Sequence, residues 1–234
     1  MKGIVLCGGK GTRLRPYTYT IPKPMLPLGK KPILEYVLCS LKAAGIREVY
    51  LTVGYLHEQI QDYFGDGKRL GMKILYSVET EELGTAGSIL PLKDKFKETF
   101  VVVMGDHLSN LDIAKMAKFH FDKKAFATVA LNRKGIPLEY GIAELEGDQI
   151  VRFREKPIVE NLVNAGVYIF EPGIFQYIKE REDFAAHVFP RLLEKKLKVC
   201  GFVFSDYWLD IGRTTDYEHI NQLISVIDLV NSTR

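Results

Sequence analysis

The 234-residue sequence predicts an α/β fold, a mostly parallel mixed sheet flanked by helices, on three observations. Short β-branched runs alternate with segments of helical period. The runs are apolar along their whole length rather than at every second residue. Gly- and Pro-marked loops separate them. Strands that are apolar on both faces belong in a parallel sheet covered by helices on either side.

The elements follow in order. Gly3 to Cys7 is a fully apolar strand, and a Gly/Pro-punctuated loop runs from Gly8 to about Pro32. Ile33, Val37, Leu38, Leu41 and Ala44 then recur at helical spacing between Pro32 and Gly45, the expected start and stop signals. Val49–Val53 is a strand, Glu58–Phe64 a short helix, Met72–Val78 a strand and Thr85–Leu92 a short helix. Phe100–Met104 is a strand, Leu111–Phe121 a helix and Ala127–Leu131 a strand. Beyond this the regularity changes. Ile142–Leu145 and Ile150–Arg154 read as a hairpin through Gly147-Asp148, and Val163–Phe170 and Val199–Phe204 add strands. Helices are expected near 172–180 and 185–195, with a last one from about Thr214 to Val230. The pattern is a Rossmann-like first half, about 1–135, continuing into a mixed-sheet second half, about 136–234. One domain with a cleft between the halves is expected.

At 47% hydrophobic and 26% charged, the composition is that of an ordinary globular protein with ample apolar material for a core. No apolar run approaches the roughly 18 residues of a membrane span. Gly3-Ile4-Val5-Leu6-Cys7 is too short for a signal-peptide core, so a cytoplasmic location is expected. Cys7, Cys39 and Cys200 are odd in number and widely spaced, which predicts buried free thiols rather than disulfides or a thiolate zinc site. A pI of 8.6 is below the usual footprint of nucleic-acid binding.

The net charge of +3 is unevenly placed. Residues 1–34 hold seven basic side chains (Lys2, Lys10, Arg13, Arg15, Lys23, Lys30, Lys31) and no Asp or Glu, leaving 25 basic against 29 acidic groups elsewhere. This cationic segment contains the loop after the first strand, Gly8-Gly9-Lys10-Gly11-Thr12-Arg13-Leu14. In open parallel sheets ligands bind at such loops, and glycines there present unhindered N–H groups to phosphate oxygens. Neither common phosphate loop fits. A dinucleotide fingerprint needs glycine three residues after Gly11, where Leu14 stands, and a Walker loop needs Ser or Thr after its Gly-Lys, where Lys10 is followed by Gly11.

The loop continues as Arg13-x-x-Pro16-x-Thr18, then Pro22-Lys23-Pro24, then Lys31-Pro32. This string resembles the N-terminal motif of the nucleoside-diphosphate-sugar pyrophosphorylases, or sugar-1-phosphate nucleotidyltransferases. Further blocks agree in order: Leu83-Gly84-Thr85-Ala86-Gly87, Gly105-Asp106, Tyr140-Gly141, Glu155-Lys156-Pro157, Asn164-Ala165-Gly166 and Trp208-x-Asp210-Ile211-Gly212. The resemblance covers essentially the whole chain and implies the nucleotide-diphospho-sugar transferase type of fold. It also implies an enzyme that joins a nucleoside triphosphate to a sugar 1-phosphate and releases pyrophosphate. The nucleophile is already anionic, so such catalysis is alignment plus charge neutralisation.

By that resemblance, Arg13 contacts the triphosphate and leaving pyrophosphate, and Lys23, held between two prolines, places a charge at the reacting phosphates. Leu6, Gly8, Gly9, Gly11, Thr12, Gly84 and Thr85 form the nucleotide site, with Glu79 or Glu81 able to accept from guanine N1–H and N2–H₂. Asp106 and Asp210 match carboxylates holding Mg²⁺, the expected cofactor. His107 is read as a pocket wall or surface residue, because imidazole suits Mg²⁺ poorly. Gly141, Glu155, Lys156 and Asn164 match the sugar-phosphate site. Tyr140, Tyr168 and Trp208 fit either sugar walls or core.

The stretch from Ser77 to Thr85 looks most like the mannose-1-phosphate guanylyltransferase branch, with glucose 1-phosphate and dTTP or UTP as the alternative. The run Asp183-Phe184-Ala185-Ala186-His187 departs from the family pattern, which commonly carries an acidic–Lys pair there; this bears on sugar choice. The sequence up to Arg234 holds no hexapeptide-repeat β-helix, so a form limited to the catalytic domain is expected, and homo-oligomers are left open. No nucleic acid or membrane is expected as a partner. A non-catalytic regulatory subunit is disfavoured by retention of Arg13, Lys23, Asp106, Lys156 and Asp210 together. A glycosyltransferase is disfavoured because no Asp-x-Asp motif occurs.

Overall fold

A computed structural model describes residues 1–205 and 207–232, the side chains of the last helix only as far as Ile224. Apart from a two-residue pair, Pro27–Leu28 with Lys31–Pro32, the strands in chain order are β1 (Gly3–Cys7), β2 (Glu48–Val53), β3 (Lys73–Val78), β4 (Phe100–Met104), β5 (His107–Ser109), β6 (Ala127–Pro137), β7 (Ile142–Glu146), β8 (Gln149–Arg154), β9 (Ile158–Phe170), β10 (Val199–Phe204) and β11 (Trp208–Asp210). The main helices are α1 (Ile33–Ala43), α2 (His57–Phe64), α3 (Ile113–Lys123), α4 (Phe189–Glu194) and α5 (Thr214–Ser232). Seven strands form one sheet in the order β10-β6-β9-β4-β1-β2-β3. Only β9 runs against its neighbours; the pairs β10–β6, β4–β1, β1–β2 and β2–β3 are all parallel. The mostly parallel mixed sheet expected from the sequence is thus the observed one. Residue 135, where the halves were divided, falls inside β6.

The burial pattern explains why β1 is apolar throughout. Val5 and Cys7 point into a core with Leu34, Val37 and Leu38 of α1 and Ile60 of α2. Ile4 and Leu6 point into the opposite core with Phe100, Phe170 and Phe184. Alternate side chains leave a strand on opposite faces, so a strand covered on both sides needs no polar residue. A third core anchors the long loop after β1: Leu14, Leu26 and Leu28 are buried against Ile211, Tyr217 and Ile220. The Tyr217 hydroxyl also donates to the Pro27 carbonyl at 2.8 Å.

Several elements differ from expectation. The helix expected over Thr85–Leu92 is a single turn, Gly84–Gly87, followed by a 3₁₀ segment, Leu90–Lys95. Pro91 lacks the N–H that a continuous α-helix would need. The expected helix over 172–180 is 3₁₀ at Pro172–Tyr177, and that over 185–195 is a π-turn, Phe184–Val188, leading into α4. β6 and β9 run well past their expected ends as a paired arm, Asn164↔Leu131 through Ile158↔Pro137. Charged and exposed side chains on this arm hid it from an apolar-run criterion. Of the three thiols expected to be buried only Cys7 is; Cys39 is exposed and Cys200 intermediate.

Candidate active site

A cavity of about 420 Å³ opens where the loop after β1 meets the ends of β1, β3 and β4. All eight residues expected to bind nucleotide line it: Leu6, Gly8, Gly9, Gly11, Thr12, Glu79, Gly84 and Thr85. Arg13, Lys23 and Asp106 line it too. The glycines have specific reasons. Gly11 has φ +61°, where side chains are strained, and a Cβ at Gly8 would fall 2.6 Å from the Glu79 carboxylate. Gly84 has φ +71°, and a Cβ there would meet the Glu182 carbonyl at 2.5 Å.

The cations of the N-terminal segment divide by partner. Lys2 pairs with Glu48 at 2.9 Å, Lys31 with Glu35 at 3.4 Å and Lys10 with Glu82 at 3.0 Å. Lys23 pairs with the Asp106 carboxylate, both side chains being largely buried. Arg13 is exposed and makes no hydrogen bond or ion pair among the described residues. It sits in a one-turn 3₁₀ segment, Thr12–Leu14, locked by the fully buried Leu14 and by the Leu14 N–H donating to the Gly11 carbonyl at 2.9 Å. A planar cation at a cavity, answered among the described residues only by the longer-range charge of Asp210, is available to an anionic ligand.

Asp106 follows β4 through Gly105. Asp210 arrives on β11, which pairs antiparallel with β5 so that Asp210 stands opposite His107. His107 Nε2 lies 3.3 Å from Asp210 Oδ1 and 3.6 Å from Asp106 Oδ1. His107 does line a second cavity, as a pocket wall would, and its largely buried imidazole also stands between the two aspartates. Burial pulls its pKa down, but the Asp210 hydrogen bond and the charges of both aspartates more than offset this, so it is raised. In return the His107 hydrogen bond, above all, holds the Asp210 pKa below the usual carboxylate value. One oxygen of Asp106, Oδ1, is buried without a hydrogen-bond partner. An orphaned carboxylate oxygen beside a second carboxylate fits a divalent cation.

Glu79 is a second group short of partners. Its Oε1 is buried without a hydrogen-bond partner, and burial raises its pKa despite the neighbouring Ser88 and Thr52 hydroxyls. Glu81 instead pairs with Arg181.

The expected sugar-phosphate residues lie away from the cavity lining. Gly141 abuts Glu155 and the Phe153 ring, so a Cβ would fall 2.6 Å from Glu155 Oε2. Glu155 and Lys156 are exposed at the end of the arm, with Lys156 at φ +42°. Asn164 is engaged internally, donating to the Tyr168 hydroxyl at 3.0 Å and accepting from the Gly166 N–H at 3.0 Å. Tyr168 is core, Tyr140 is exposed, and Trp208 packs edge-on against His107.

Sequence reasoning missed the seat of the Gly84 turn. The Glu182 carbonyl accepts from the Ala86 and Gly87 N–H groups at 2.8 and 3.1 Å, and Asp183 accepts from the Thr85 N–H and hydroxyl. Asp183, which opens the run that departs from the family pattern, thus supports the Gly84 turn and itself lines the cavity. Hydrogen bonds from Arg191 lower the Glu182 pKa to about 2. A depressed carboxylate stabilises the fold above its unfolded pKa, about 4.3, and that contribution is lost as pH falls toward 2. Glu182→Gln is expected to flatten the fall in urea midpoint between about pH 4.5 and 2. An unchanged acid limb would refute this.

The family model for nucleotidyl transferases matches residues 2–225. The chain belongs to the nucleotidyl transferase family. Among relatives of this family, it is 38% identical to a UTP–glucose-1-phosphate uridylyltransferase of Synechocystis, over 93% of this chain and 61% of that one. It is 39% identical to a mannose-1-phosphate guanylyltransferase of Mycobacterium tuberculosis, over 92% and 62%. A D-glycero-α-D-manno-heptose 1-phosphate guanylyltransferase of Campylobacter jejuni is 39% identical over 94% of this chain and 98% of its own. The chain thus spans about three fifths of the first two relatives and nearly all of the third. The crystal structure of HddC from Yersinia pseudotuberculosis superimposes with a TM-score of 0.76 at 25% identity, covering 94% of this chain and 98% of that one. Among the described residues no helix is long and apolar enough to cross a membrane.

Proposed function

We propose that this nucleotidyl transferase joins GTP to mannose 1-phosphate or a related manno-configured sugar phosphate, giving the GDP-sugar and pyrophosphate. The observation that carries the reaction class is the meeting of Arg13, Lys23, Asp106 and the glycine loop at one cavity. A sugar-phosphate oxygen forms a bond to the α-phosphorus as the bond to the bridging oxygen of the leaving pyrophosphate breaks. No proton has to move, so no general base is required. Arg13 neutralises charge that grows on the leaving group, and Lys23 orients the reacting phosphates from its place beside Asp106. Asp106 and Asp210 would hold Mg²⁺, which supplies further neutralisation of phosphate charge. Glu155 and Lys156 would grip the sugar and its phosphate, with Gly141 and Asn164 contributing contacts.

The guanine preference rests on Glu79, whose underused carboxylate faces a cavity that would bring it the N1–H and N2–H₂ donors of that base. Both guanylyltransferase relatives act, by name, on manno-configured sugars, whereas the uridylyltransferase relative supports the alternative pairing with glucose 1-phosphate. The test is a pyrophosphate-release matrix of GTP, dTTP, UTP, CTP and ATP against mannose, glucose and heptose 1-phosphates. Release is expected only with both substrates and a divalent cation such as Mg²⁺, and fastest with GTP. Glu79→Gln is expected to lower kcat/KM for GTP at least about tenfold, the worth of a charged hydrogen bond, with smaller changes for UTP. Equal loss for all nucleotides would refute the base assignment.

A further inference from the structure

Resting on the reading that Asp106 and Asp210 hold the reaction's metal, we propose that His107 is its third protein ligand through Nε2. The site then takes Mn²⁺ or Co²⁺ in preference to Mg²⁺.

The ring is oriented for this. His107 Nδ1 lies 3.1 Å from the Ala165 carbonyl, which can only accept, so Nδ1 carries a proton and Nε2 is the nitrogen turned toward the aspartates. A metal-ligating histidine almost always donates its second N–H to a carboxylate, carbonyl or water in this manner. The same carbonyl accepts from Trp208 Nε1 at 3.0 Å, and the indole packs edge-on against the imidazole with centroids 5.5 Å apart. Behind the ring, Gly166 has φ +71°, and a Cβ there would fall 2.5 Å from His107 Nδ1, so only glycine admits this seat.

One ligand atom from each of Asp106, His107 and Asp210 lies within 4.8 Å of the others. The His107 Nε2 separations, 3.3 and 3.6 Å, suit adjacent donors, because two atoms each about 2.1 Å from one ion stand about 3 Å apart. Asp106 Oδ1, the oxygen facing Nε2, is the one buried without a hydrogen-bond partner. Two carboxylates alone would suit Mg²⁺. An imidazole nitrogen in the set favours later divalent ions, which bind nitrogen far better than Mg²⁺ does. The competing arrangement is an imidazolium that bridges the aspartates and never ligates.

Pulsed EPR of the full chain loaded with Mn²⁺ alone separates the two. Ligation predicts a directly bound ¹⁴N coupling that converts to the ¹⁵N pattern when histidine is ¹⁵N-labelled, with no substitution needed. Competition titrations should show His107→Gln lowering the Mn²⁺ to Mg²⁺ affinity ratio at least about tenfold. Absence of bound Mn²⁺, bound Mn²⁺ without nitrogen coupling, or an unchanged ratio would each overturn the ligand. Pyrophosphate release is scored separately. Release without nitrogen coupling removes the histidine ligand and leaves nucleotidyl transfer standing, and coupling without release does the reverse.

Discussion

Arg13→Ala is expected to lower turnover at least about a hundredfold, the typical cost of deleting a transition-state charge contact. That corresponds to about 2.7 kcal/mol of lost stabilisation. The fold should barely notice. Arg13 is exposed and makes no hydrogen bond or ion pair among the described residues, and the turn that carries it is held by Leu14 and backbone. The unfolding free energy should therefore stay within about 0.5 kcal/mol of the parent, as for other surface changes. Arg13→Lys should recover only part of the loss, because an ammonium restores charge without the planar fork. Asp210→Asn should cost turnover on a similar scale, since it halves the carboxylate pair and loosens His107, its partner at 3.3 Å. Near-normal turnover in both variants would sink these roles. A large fall in stability with Arg13→Ala would show that the residue is structural.

The two halves of the site differ in how far they can be read from sequence. The glycine loop, Arg13 and Lys23 lie in one local stretch, where turn chemistry and charge point to the same ligand. The structure gathers them as expected. Asp210 is legible only by family resemblance, because β5 and β11 are three residues each and too short to leave a periodic signal. Their pairing nonetheless decides where the second carboxylate goes. The bridging place of His107 is not legible, because its geometry depends on the distant Ala165 carbonyl. The Glu182–Asp183 seat under the Gly84 turn was illegible for a similar reason. It is built from one backbone carbonyl and one aspartate roughly a hundred residues away, with no composition or period to mark it. The helices expected near 172–180 and 185–195 stand in those places, the first as a 3₁₀ segment and the second as a π-turn leading into the α-helical α4. Apolar spacing reports which face is buried, while Pro172 and Pro190 alter which carbonyls each N–H can reach.

Lys23 and Asp106 provide a test in which stability and chemistry part company. Their side chains are only 12% and 16% exposed, so each charge relies on the other rather than on water. Removing one leaves the other buried and uncompensated, and breaking such pairs commonly costs about 3–5 kcal/mol. Lys23→Ala should fall somewhat below that range, because His107 lies within reach of Asp106 and some solvent remains. Asp106→Ala should cost similarly by stranding the ammonium. The double variant removes both charges, and a dry pair replaced by neutral side chains is often no less stable than the pair itself. Its unfolding free energy should therefore lie above that of at least one single variant. Turnover should show no such rescue: each single variant is expected to lose at least about a hundredfold, and the double variant to lose as much or more. Urea unfolding and single-turnover pyrophosphate release on the same four proteins measure both. If turnover recovered along with stability in the double variant, the pair would be holding the cavity together rather than acting on the phosphates.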